Sequence, residues 1–245
     1  MSLGPGRSVR SDVDGVLARD AAKGAAAVVD IQDRTGNPRV RYEVVDLARQ
    51  ASIAALAKRW AGPVHVLVNN AAVAPRRREQ TPEGIELQFA TNVLGYFWTI
   101  TAFQERLAAS APARVVNVAS YWAGGLDLQD LEFQRRPYDN DAAYRQSKQA
   151  DRMLTVAFAD RLKDAGVTVN ACHPGDVAST LSHSLGFGGH ETPDQAAITP
   201  AWLATEAIGA AATGQYFEGQ REVRCRFGAD REAVEALYRA CADSG

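Results

Sequence analysis

Two side chains in the second half of the sequence have a spacing that suits acid–base chemistry. Tyr144 and Lys148 lie four positions apart in a segment with helical periodicity, so both project from one helix face, one turn apart. A lysine ammonium beside a phenol favours the phenolate and lowers the tyrosine pKa from about 10 toward a working pH. The pair is a candidate general acid and base, although exposed helical pairs share this spacing.

Two further polar residues occur where such a site would use them. Ser120 follows the apolar residues 114–119, and a hydroxyl at the end of a strand can hydrogen-bond a substrate carbonyl. Taken singly, a serine at this position is more often a turn residue. Asn92 lies within a predicted helix, where asparagine competes for backbone hydrogen bonds, and a polar helix face explains it equally well.

The elements that must position these residues alternate between apolar runs and helical stretches. Strands are predicted at residues 40–45, 64–68, 114–119 and 167–171. Helices are predicted at residues 20–34, 51–60, 82–109, 142–164, 201–211 and 230–242, and the sequence Thr81-Pro82-Glu83 favours a helix start at Pro82. Strands separated by helices form right-handed crossovers and mainly parallel sheets. We therefore predict a doubly wound, three-layered, Rossmann-like α/β fold in a single domain over residues 1–245, with an atypical N-terminus at residues 1–14.

The composition excludes several classes of protein. The 245 residues are 46% hydrophobic and 23% charged, which is typical of a globular chain. A net charge of -2 gives no basic field for nucleic acid. The histidines His173, His183 and His190 lack the close spacing of metal ligands, so no metal is expected. Residues 1–15 contain no apolar stretch of the kind found in signal peptides, and no long apolar stretch occurs elsewhere in the sequence. We therefore expect a cytoplasmic protein with no transmembrane segment and no membrane partner.

The order of several motifs resembles the short-chain dehydrogenase/reductase superfamily. In chain order these motifs are Asn69-Asn70-Ala71-Ala72, Asn92, Val-Asn-Val-Ala ending at Ser120, Tyr144-x-x-x-Lys148 and His173-Pro174-Gly175-x-Val177. The long interval from Ser120 to Tyr144, together with residues 19–24, 126–131 and 214–217, looks like the retinol-dehydrogenase-like branch. The resemblance therefore narrows the expectation from a fold class to an oxidoreductase family.

The resemblance implies a catalytic tetrad of Asn92, Ser120, Tyr144 and Lys148. Tyr144 would exchange a proton with the carbonyl or alcohol oxygen while hydride passes to or from a nicotinamide ring. Lys148 would lower the tyrosine pKa and bind the nicotinamide ribose. Ser120 would orient the substrate oxygen, and Asn92 would hold a water for a proton relay.

The same resemblance implies a cofactor and a partner. Arg19 would pair with the 2′-phosphate of NADP, which makes NADP the expected cofactor and NAD the less favoured one. Two helices, those containing Asn92 and Tyr144, would form the interface of a homodimer. The implied cofactor-binding residues are Arg19, Asp46, Asn70, Ala71, Tyr144, Lys148, Pro174, Gly175, Val177 and Ser179.

The sequence departs from the family pattern near its start. The family carries Thr-Gly-x-x-x-Gly-x-Gly after its first strand, a loop that lets a pyrophosphate approach a helix N-terminus, and no such motif occurs here. We therefore expect the family's first strand, its glycine-rich loop, its first helix and part of its second strand to be missing. Since that first strand is central, the sheet would need compensation, and residues 8–17 are a polar candidate for one strand position.

Two functions of different classes follow. The first is an NADP(H)-dependent oxidoreductase that interconverts a carbonyl and an alcohol on an apolar substrate such as a retinoid, steroid or lipid aldehyde, which the apolar, glycine-rich residues 185–189 favour. The alternative is a catalytically inactive homologue or truncated isoform that acts as a binding or dimerising protein, because a tetrad without a bound nicotinamide has no hydride to transfer. A sugar-nucleotide epimerase is disfavoured because too few residues follow Thr180 for a substrate domain.

Overall fold

The structure, a computed structural model, describes residues 14–244. The strands of this range are β1 (Asp14–Ala18), β2 (Val40–Val44), β3 (Val66–Asn69), β4 (Ala113–Val118), β5 (Val167–His173), β6 (Tyr216–Glu218) and β7 (Arg221–Val223). Its α-helices are α1 (Ala21–Thr35), α2 (Gln50–Arg59), α3 (Gly95–Ala109), α4 (Asn140–Leu162), α5 (Thr180–Ser184), α6 (Pro193–Ala196), α7 (Ile198–Thr205), α8 (Ala207–Ala211) and α9 (Arg231–Ala242). None of the helices in this range is both long enough and apolar enough to cross a membrane.

The chain divides into two compact units, one ending at Asp46 and one beginning at Leu47. The first unit holds a two-stranded parallel sheet of β1 and β2. The second holds a five-stranded sheet in the order β3-β4-β5-β6-β7, in which all neighbours are parallel except the antiparallel pair β6-β7. These sheets and their crossover helices confirm the predicted mainly parallel α/β fold.

The first unit is a single strand–helix–strand crossover. The Asp20 carboxylate caps α1 by accepting a hydrogen bond from the Lys23 backbone at 2.8 Å, and Gly36 ends the helix in the left-handed conformation. Of the candidate strand at residues 8–17, residues 14–17 lie in β1, and residues 8–13 lie outside the described range. Within the described residues, β1 pairs with β2 alone.

In the second unit, helices cover both faces of the sheet. Helices α3 and α4 pack on one face, and α7 and α8 pack on the other. The core on the α7 side contains Val116, Val118, Cys172, Leu203 and Phe217. Because every central strand is covered twice, β4 and β5 are almost entirely buried, as expected for parallel strands.

The C-terminal helix α9 packs on α4 and reaches α3. The Tyr238 ring lies 5.1 Å from the Phe97 ring of α3 and 5.4 Å from the Phe158 ring of α4, measured between centroids. The Arg161 guanidinium lies 3.6 Å from the Tyr238 centroid and pairs with Glu235 at 2.7 Å. Helix α9 thus packs on the two helices that the sequence analysis expects to form a homodimer interface. Dimerisation through these helices stays a prediction.

The predicted helix start at Pro82 is wrong. Residues 81–84 form a turn instead, in which the Thr81 backbone N–H donates to the Ile85 carbonyl at 2.8 Å. Gly84 closes this turn at a φ of 88°, a conformation that favours glycine. The Thr-Pro-Glu sequence is equally suited to a turn, and the glycine that follows decides between the two.

The helix that carries Asn92 begins after Glu86 instead. The Glu86 carboxylate accepts hydrogen bonds from the backbone of Gln88 at 2.9 Å and Phe89 at 2.7 Å, as a cap does. Residues Phe89–Leu94 then form a π-helical turn that leads into α3. Asn92 therefore sits in a π-helix, an element that frequently occurs at functional sites.

The predicted helix at residues 201–211 is also wrong in its extent. It begins earlier, at Ile198, and is interrupted at Glu206, which is extended with φ and ψ of -86° and 164°. The guanidinium of Arg114, a residue of β4, donates to the carbonyls of Ala204 at 2.7 Å and Glu206 at 2.9 Å. These hydrogen bonds stabilise the break between the two helices. Apolar periodicity continues across the break and therefore gives no sign of it.

Candidate active site

A cavity of about 730 Å³ opens in the second unit at the carboxyl ends of β3, β4 and β5. This edge is where doubly wound sheets bind their ligands. The cavity brings together nine predicted site residues, namely Asn70, Ala71, Ser120, Tyr144, Lys148, Pro174, Gly175, Val177 and Ser179. Residues far apart in the sequence thus line one space.

Tyr144 reaches the cavity from α4, and its side chain is largely buried. Ser120 lines the same cavity, and its hydroxyl oxygen accepts a hydrogen bond from the Trp122 backbone at 3.0 Å. Burial raises the pKa of Tyr144, while the Lys148 ammonium and the Ser120 hydroxyl oppose it. Lys148 acts to lower the Tyr144 pKa, as predicted, but the effect of burial is larger. The Tyr144 pKa therefore lies above its ordinary value.

Lys148 is held by two partners deep in the structure. Its Nζ donates to the Val118 carbonyl at 2.9 Å and to Asp151 Oδ2 at 2.9 Å. The Lys148 and Asp151 side chains are only 2% and 0% exposed. Burial acts to lower the pKa of Lys148, but the Asp151 carboxylate and the phenols of Tyr96 and Tyr144 together outweigh it, so the pKa lies above its ordinary value and the amine stays protonated. The Tyr144 ring centroid lies 5.8 Å from this ammonium.

The Asn92 side chain is fully engaged behind the cavity wall. Its Oδ1 accepts from the Val73 backbone N–H at 2.8 Å, and its Nδ2 donates to the Val73 carbonyl at 3.0 Å and to Ser147 Oγ at 3.1 Å. Of the predicted tetrad, Ser120, Tyr144 and Lys148 meet in the cavity, whereas Asn92 joins two elements beneath it.

A buried chain of polar side chains fixes α4 against the sheet. Asn69 of β3 donates to Asn117 of β4 at 2.9 Å, and Asn117 donates to Thr155 of α4 at 2.9 Å. Thr155 donates in turn to the Asp151 carbonyl at 2.8 Å. Sequence reasoning missed Thr155, and the asparagines inside apolar strands were the available signal, because buried amides need partners.

Arg152 was also missed. Its guanidinium donates to the Ser120 carbonyl, lies 3.8 Å from Glu218 Oε1, and stacks 3.5 Å from the centroid of the Tyr216 ring. The side chain is buried, so these contacts hold the end of β4 against β6. Nothing in the sequence separates this arginine from an exposed residue of a helix.

The long interval before Tyr144 is fastened to α4 by Gln146. The Gln146 side-chain oxygen accepts from the Asp127 backbone at 3.0 Å and from Arg136 at 2.5 Å, and its nitrogen donates to the Leu131 carbonyl at 2.9 Å. The segment that suggested the retinol-dehydrogenase-like branch therefore packs beside the turn of helix that carries Tyr144.

One side of the cavity is apolar. The rings of Trp122 and Phe187, which both line it, pack against each other with 5.6 Å between their centroids. Near them, burial lowers the pKa of His173, whose ring meets the Tyr121 ring edge-on at 4.6 Å. Further apolar lining residues are Leu181, Leu185, Ala197, Pro200, Ala201 and Ala204. Such a wall suits an apolar ligand with few polar groups.

The two remaining predicted cofactor contacts lie in the first unit. Arg19 directly follows β1 and is exposed, and Asp46 follows β2 and is half-buried. Both therefore stand just beyond the carboxyl ends of parallel strands. Their contacts with a cofactor stay predictions.

Comparison with known proteins identifies the family. The family model described as short chain dehydrogenase matches residues 9–186. Mouse retinol dehydrogenase 13 is 38% identical over 227 residues, which cover 84% of this chain and 68% of that protein. Human retinol dehydrogenase 13 is 35% identical over 227 residues, which cover 84% and 69%. The chain therefore belongs to the short-chain dehydrogenase/reductase family, and retinol dehydrogenases are among its relatives.

A solved structure supports the same fold. The crystal structure of an uncharacterized protein from Mycobacterium Paratuberculosis superposes with a TM-score of 0.75 at 27% sequence identity. The superposition covers 94% of this chain and 83% of that one. The fold and the family agree, and membership in this family supports an oxidoreductase.

Proposed function

We propose that the protein is an NADP(H)-dependent oxidoreductase that interconverts a carbonyl and an alcohol on an apolar substrate such as a retinoid, steroid or lipid aldehyde. The observation that carries the proposal is that the hydroxyls of Ser120 and Tyr144 line the same cavity, one side of which is apolar. Two adjacent donors of this kind can bind one carbonyl oxygen and protonate it.

The proton chemistry follows from the environment of Tyr144. Because burial keeps its pKa above the ordinary value, the phenol holds its proton at neutral pH and acts as a general acid toward a carbonyl oxygen. Once the proton has moved, the Lys148 ammonium stabilises the phenolate left behind. The side chains thus favour carbonyl reduction at neutral pH, with the hydride supplied by a nicotinamide when it is bound.

The second unit has residues that fit the nicotinamide half of such a cofactor. Asn70 and Ala71 follow β3, and the segment from Pro174 to Ser179 follows β5, so both line the cavity that holds Tyr144 and Lys148. Gly175 has a φ of 108°, which turns the backbone of this segment as a side chain would not allow. We assign these residues to the nicotinamide and its ribose.

The choice of NADP over NAD depends on Arg19. An exposed guanidinium directly after β1 suits a 2′-phosphate, whereas an acid at this place would suit a free ribose hydroxyl. Arg19→Glu is therefore expected to weaken NADPH binding by at least about tenfold, with little effect on NADH. Equal loss for both cofactors would argue against a phosphate contact.

A second candidate is a catalytically inactive homologue that serves as a binding or dimerising protein. Its motivating observation is that the sequence contains no Thr-Gly-x-x-x-Gly-x-Gly, and the connection from β1 to α1 contains no glycine.

We treat both units as parts of one domain, because the family match runs across the division at Asp46. A cytoplasmic location stays a prediction.

A thermal-shift and fluorescence titration with NADPH, run beside NADH, separates the two candidates. Ligand at 100 times its dissociation constant adds about 2.7 kcal/mol of stability, which raises the unfolding midpoint measurably. Tyr144→Phe is expected to abolish turnover of an apolar ketone or aldehyde while cofactor affinity is retained. Tyr238→Phe, which keeps the ring contacts of α9, is the matched control. Absence of binding of either dinucleotide at millimolar concentration would favour the inactive homologue.

A further inference from the structure

A buried ion pair lies beside the proposed acid. Lys148 and Asp151 are three residues apart on α4, with Nζ and Oδ2 separated by 2.9 Å and both side chains almost completely shielded from solvent. Asp151 Oδ1 makes no hydrogen bond within the described residues. The carboxylate is therefore held chiefly by the lysine.

Stability alone does not explain this pair. Removing two charges from water is costly, and apolar residues of similar volume often replace such pairs with no loss of stability. A carboxylate oxygen left without a partner adds to that cost. The pair is placed where its charges act on Tyr144, whose ring lies 5.8 Å from the ammonium.

The other titratable groups around the pair are neutral at neutral pH or face Tyr144 rather than Lys148. Burial raises the pKa of the Tyr96 phenol and raises that of the Cys172 thiol to about 12. Burial, together with the Asp151 charge, raises the pKa of Cys241 on α9. The remaining anion acting on Tyr144 is Asp176, which follows β5.

We propose that Asp151 is a positioning residue that fixes the Lys148 ammonium against the Val118 carbonyl and limits how strongly that charge stabilises the Tyr144 phenolate. The proposal rests on the proposed function, since it assigns Asp151 a part in the proton step. A carboxylate beside the ammonium cancels much of its field, so the phenol retains its proton to a higher pH than it would beside the ammonium alone.

Asp151→Asn tests the proposal because it removes the charge and retains an oxygen that accepts from Lys148. We expect Tyr144 to titrate at a pH lower by at least about half a unit in this variant, since one opposing charge is gone. The tyrosinate absorbance reports this titration without turnover or cofactor. The difference between native protein and Tyr144→Phe isolates Tyr144, and the same difference in the Asp151→Asn background gives the shift.

The pH profile of the holoenzyme gives a second measurement. In Asp151→Asn, the alkaline fall of carbonyl reduction is expected at lower pH than in the native protein. Burial raises the pKa of Asp151 to about 6 despite the nearby Lys148. Below that pH the aspartic acid of the native protein is as neutral as the asparagine of the variant, so the two profiles are expected to converge. A simple packing role would produce neither the shift nor the convergence.

Asp160→Asn is the matched control, since Asp160 lies on the same helix and pairs with Arg231 near the surface. It is expected to leave the Tyr144 titration unchanged. Should Asp151→Asn fail to fold, Asp151→Ser gives the same comparison with a smaller neutral acceptor. An unchanged or raised titration midpoint for Tyr144, or an equal shift in Asp160→Asn, overturns the proposal.

The outcome for the proposed function is read separately. If the native protein neither binds a dinucleotide nor reduces a carbonyl while the tyrosinate titration shifts as expected, the proposed function fails and the coupling of Asp151 to Tyr144 stands. If turnover depends on Tyr144 while the titration does not respond to Asp151→Asn, the function stands and this proposal fails.

Discussion

The side-chain nitrogen of Asn92 lies 3.1 Å from the Ser147 hydroxyl oxygen and joins the π-helical turn to α4. Ser147 in turn donates to the Tyr144 carbonyl at 2.7 Å. The same asparagine side chain accepts a hydrogen bond from the Val73 backbone N–H and donates one to the Val73 carbonyl. Asn92 therefore holds the turn of helix that carries Tyr144, and it does so without facing the cavity.

Loss of the Asn92 hydrogen bonds to Val73 and Ser147 is expected to destabilise the protein. Asn92→Leu leaves the half-buried Val73 backbone groups and the buried Ser147 hydroxyl without their partner, which costs about 2 to 3 kcal/mol of unfolding free energy. Ser147→Ala is expected to cost about 1 kcal/mol. Urea denaturation of both single variants and the double variant measures their coupling, expected at about 0.5 kcal/mol or more. Strict additivity would contradict a direct interaction.

Alkaline pH is expected to destabilise the protein through buried tyrosines. Burial raises the pKa of Tyr138 to about 12 and raises those of Tyr96, Tyr144 and Tyr216 as well. Because these pKa values are higher in the folded state, the unfolded state loses protons first, and stability falls as pH rises above about 10. Urea denaturation at several alkaline pH values measures this, and Tyr144→Phe should show a shallower decline. A decline equal to that of the native protein would place Tyr144 in a less shielded environment.

Phe187 is expected to select for bulky apolar substrates. Its ring packs against Trp122 at 5.6 Å between centroids and lines the cavity, so Phe187→Ala removes apolar contact area from the substrate side. For a large apolar ketone we expect KM to rise by about tenfold, equivalent to roughly 1.4 kcal/mol, with kcat less affected. A small ketone that cannot reach Phe187 serves as the comparison substrate, and Val29→Ala, on an exposed face of α1, serves as the control variant. Equal KM changes for both ketones would argue against this role.

Helix α9 is expected to control association. Tyr238→Ala removes ring contacts with Phe97 and Phe158 and the stacking of Arg161, which is expected to cost about 2 kcal/mol. The aromatic rings uncovered on α3 and α4 would favour self-association, measurable by light scattering across a range of concentrations. Tyr238→Phe keeps the ring and should behave as the native protein. A Tyr238→Ala protein with unchanged mass and stability would show that α9 does not shield these helices.

Local signals predicted much of the fold. Gly36 and Gly166 both adopt the left-handed conformation. Helix α1 ends directly before Gly36, and the short helical segment that follows α4 ends directly before Gly166, as the two glycines predicted. The apolar runs at residues 114–119 and 167–171 became β4 and β5, because buried parallel strands need continuous apolar sequence. The spacing of Tyr144 and Lys148 placed both on one helix beside the cavity, as helical geometry requires.

Other features depend on contacts between distant segments. Asp151 follows Lys148 at a spacing also found in exposed helical pairs, and its burial arises only when other elements pack around α4. The interruption at Glu206 depends on Arg114, which lies far away in the sequence. The high pKa of Tyr144 has the same origin, because the nearby lysine could be found from spacing but the extent of burial could not.

The position of Cys241 gives the C-terminal helix a wider significance. This residue is completely buried in α9 and lies close enough to Asp151 for the carboxylate charge to act on its thiol. The last turns of α9 therefore help to exclude water from the Lys148–Asp151 ion pair and keep the local dielectric constant low. Fraying or proteolytic trimming of these turns would hydrate the ion pair, weaken its field at Tyr144, and alter the acidity of a phenol that lies almost one hundred positions earlier in the sequence.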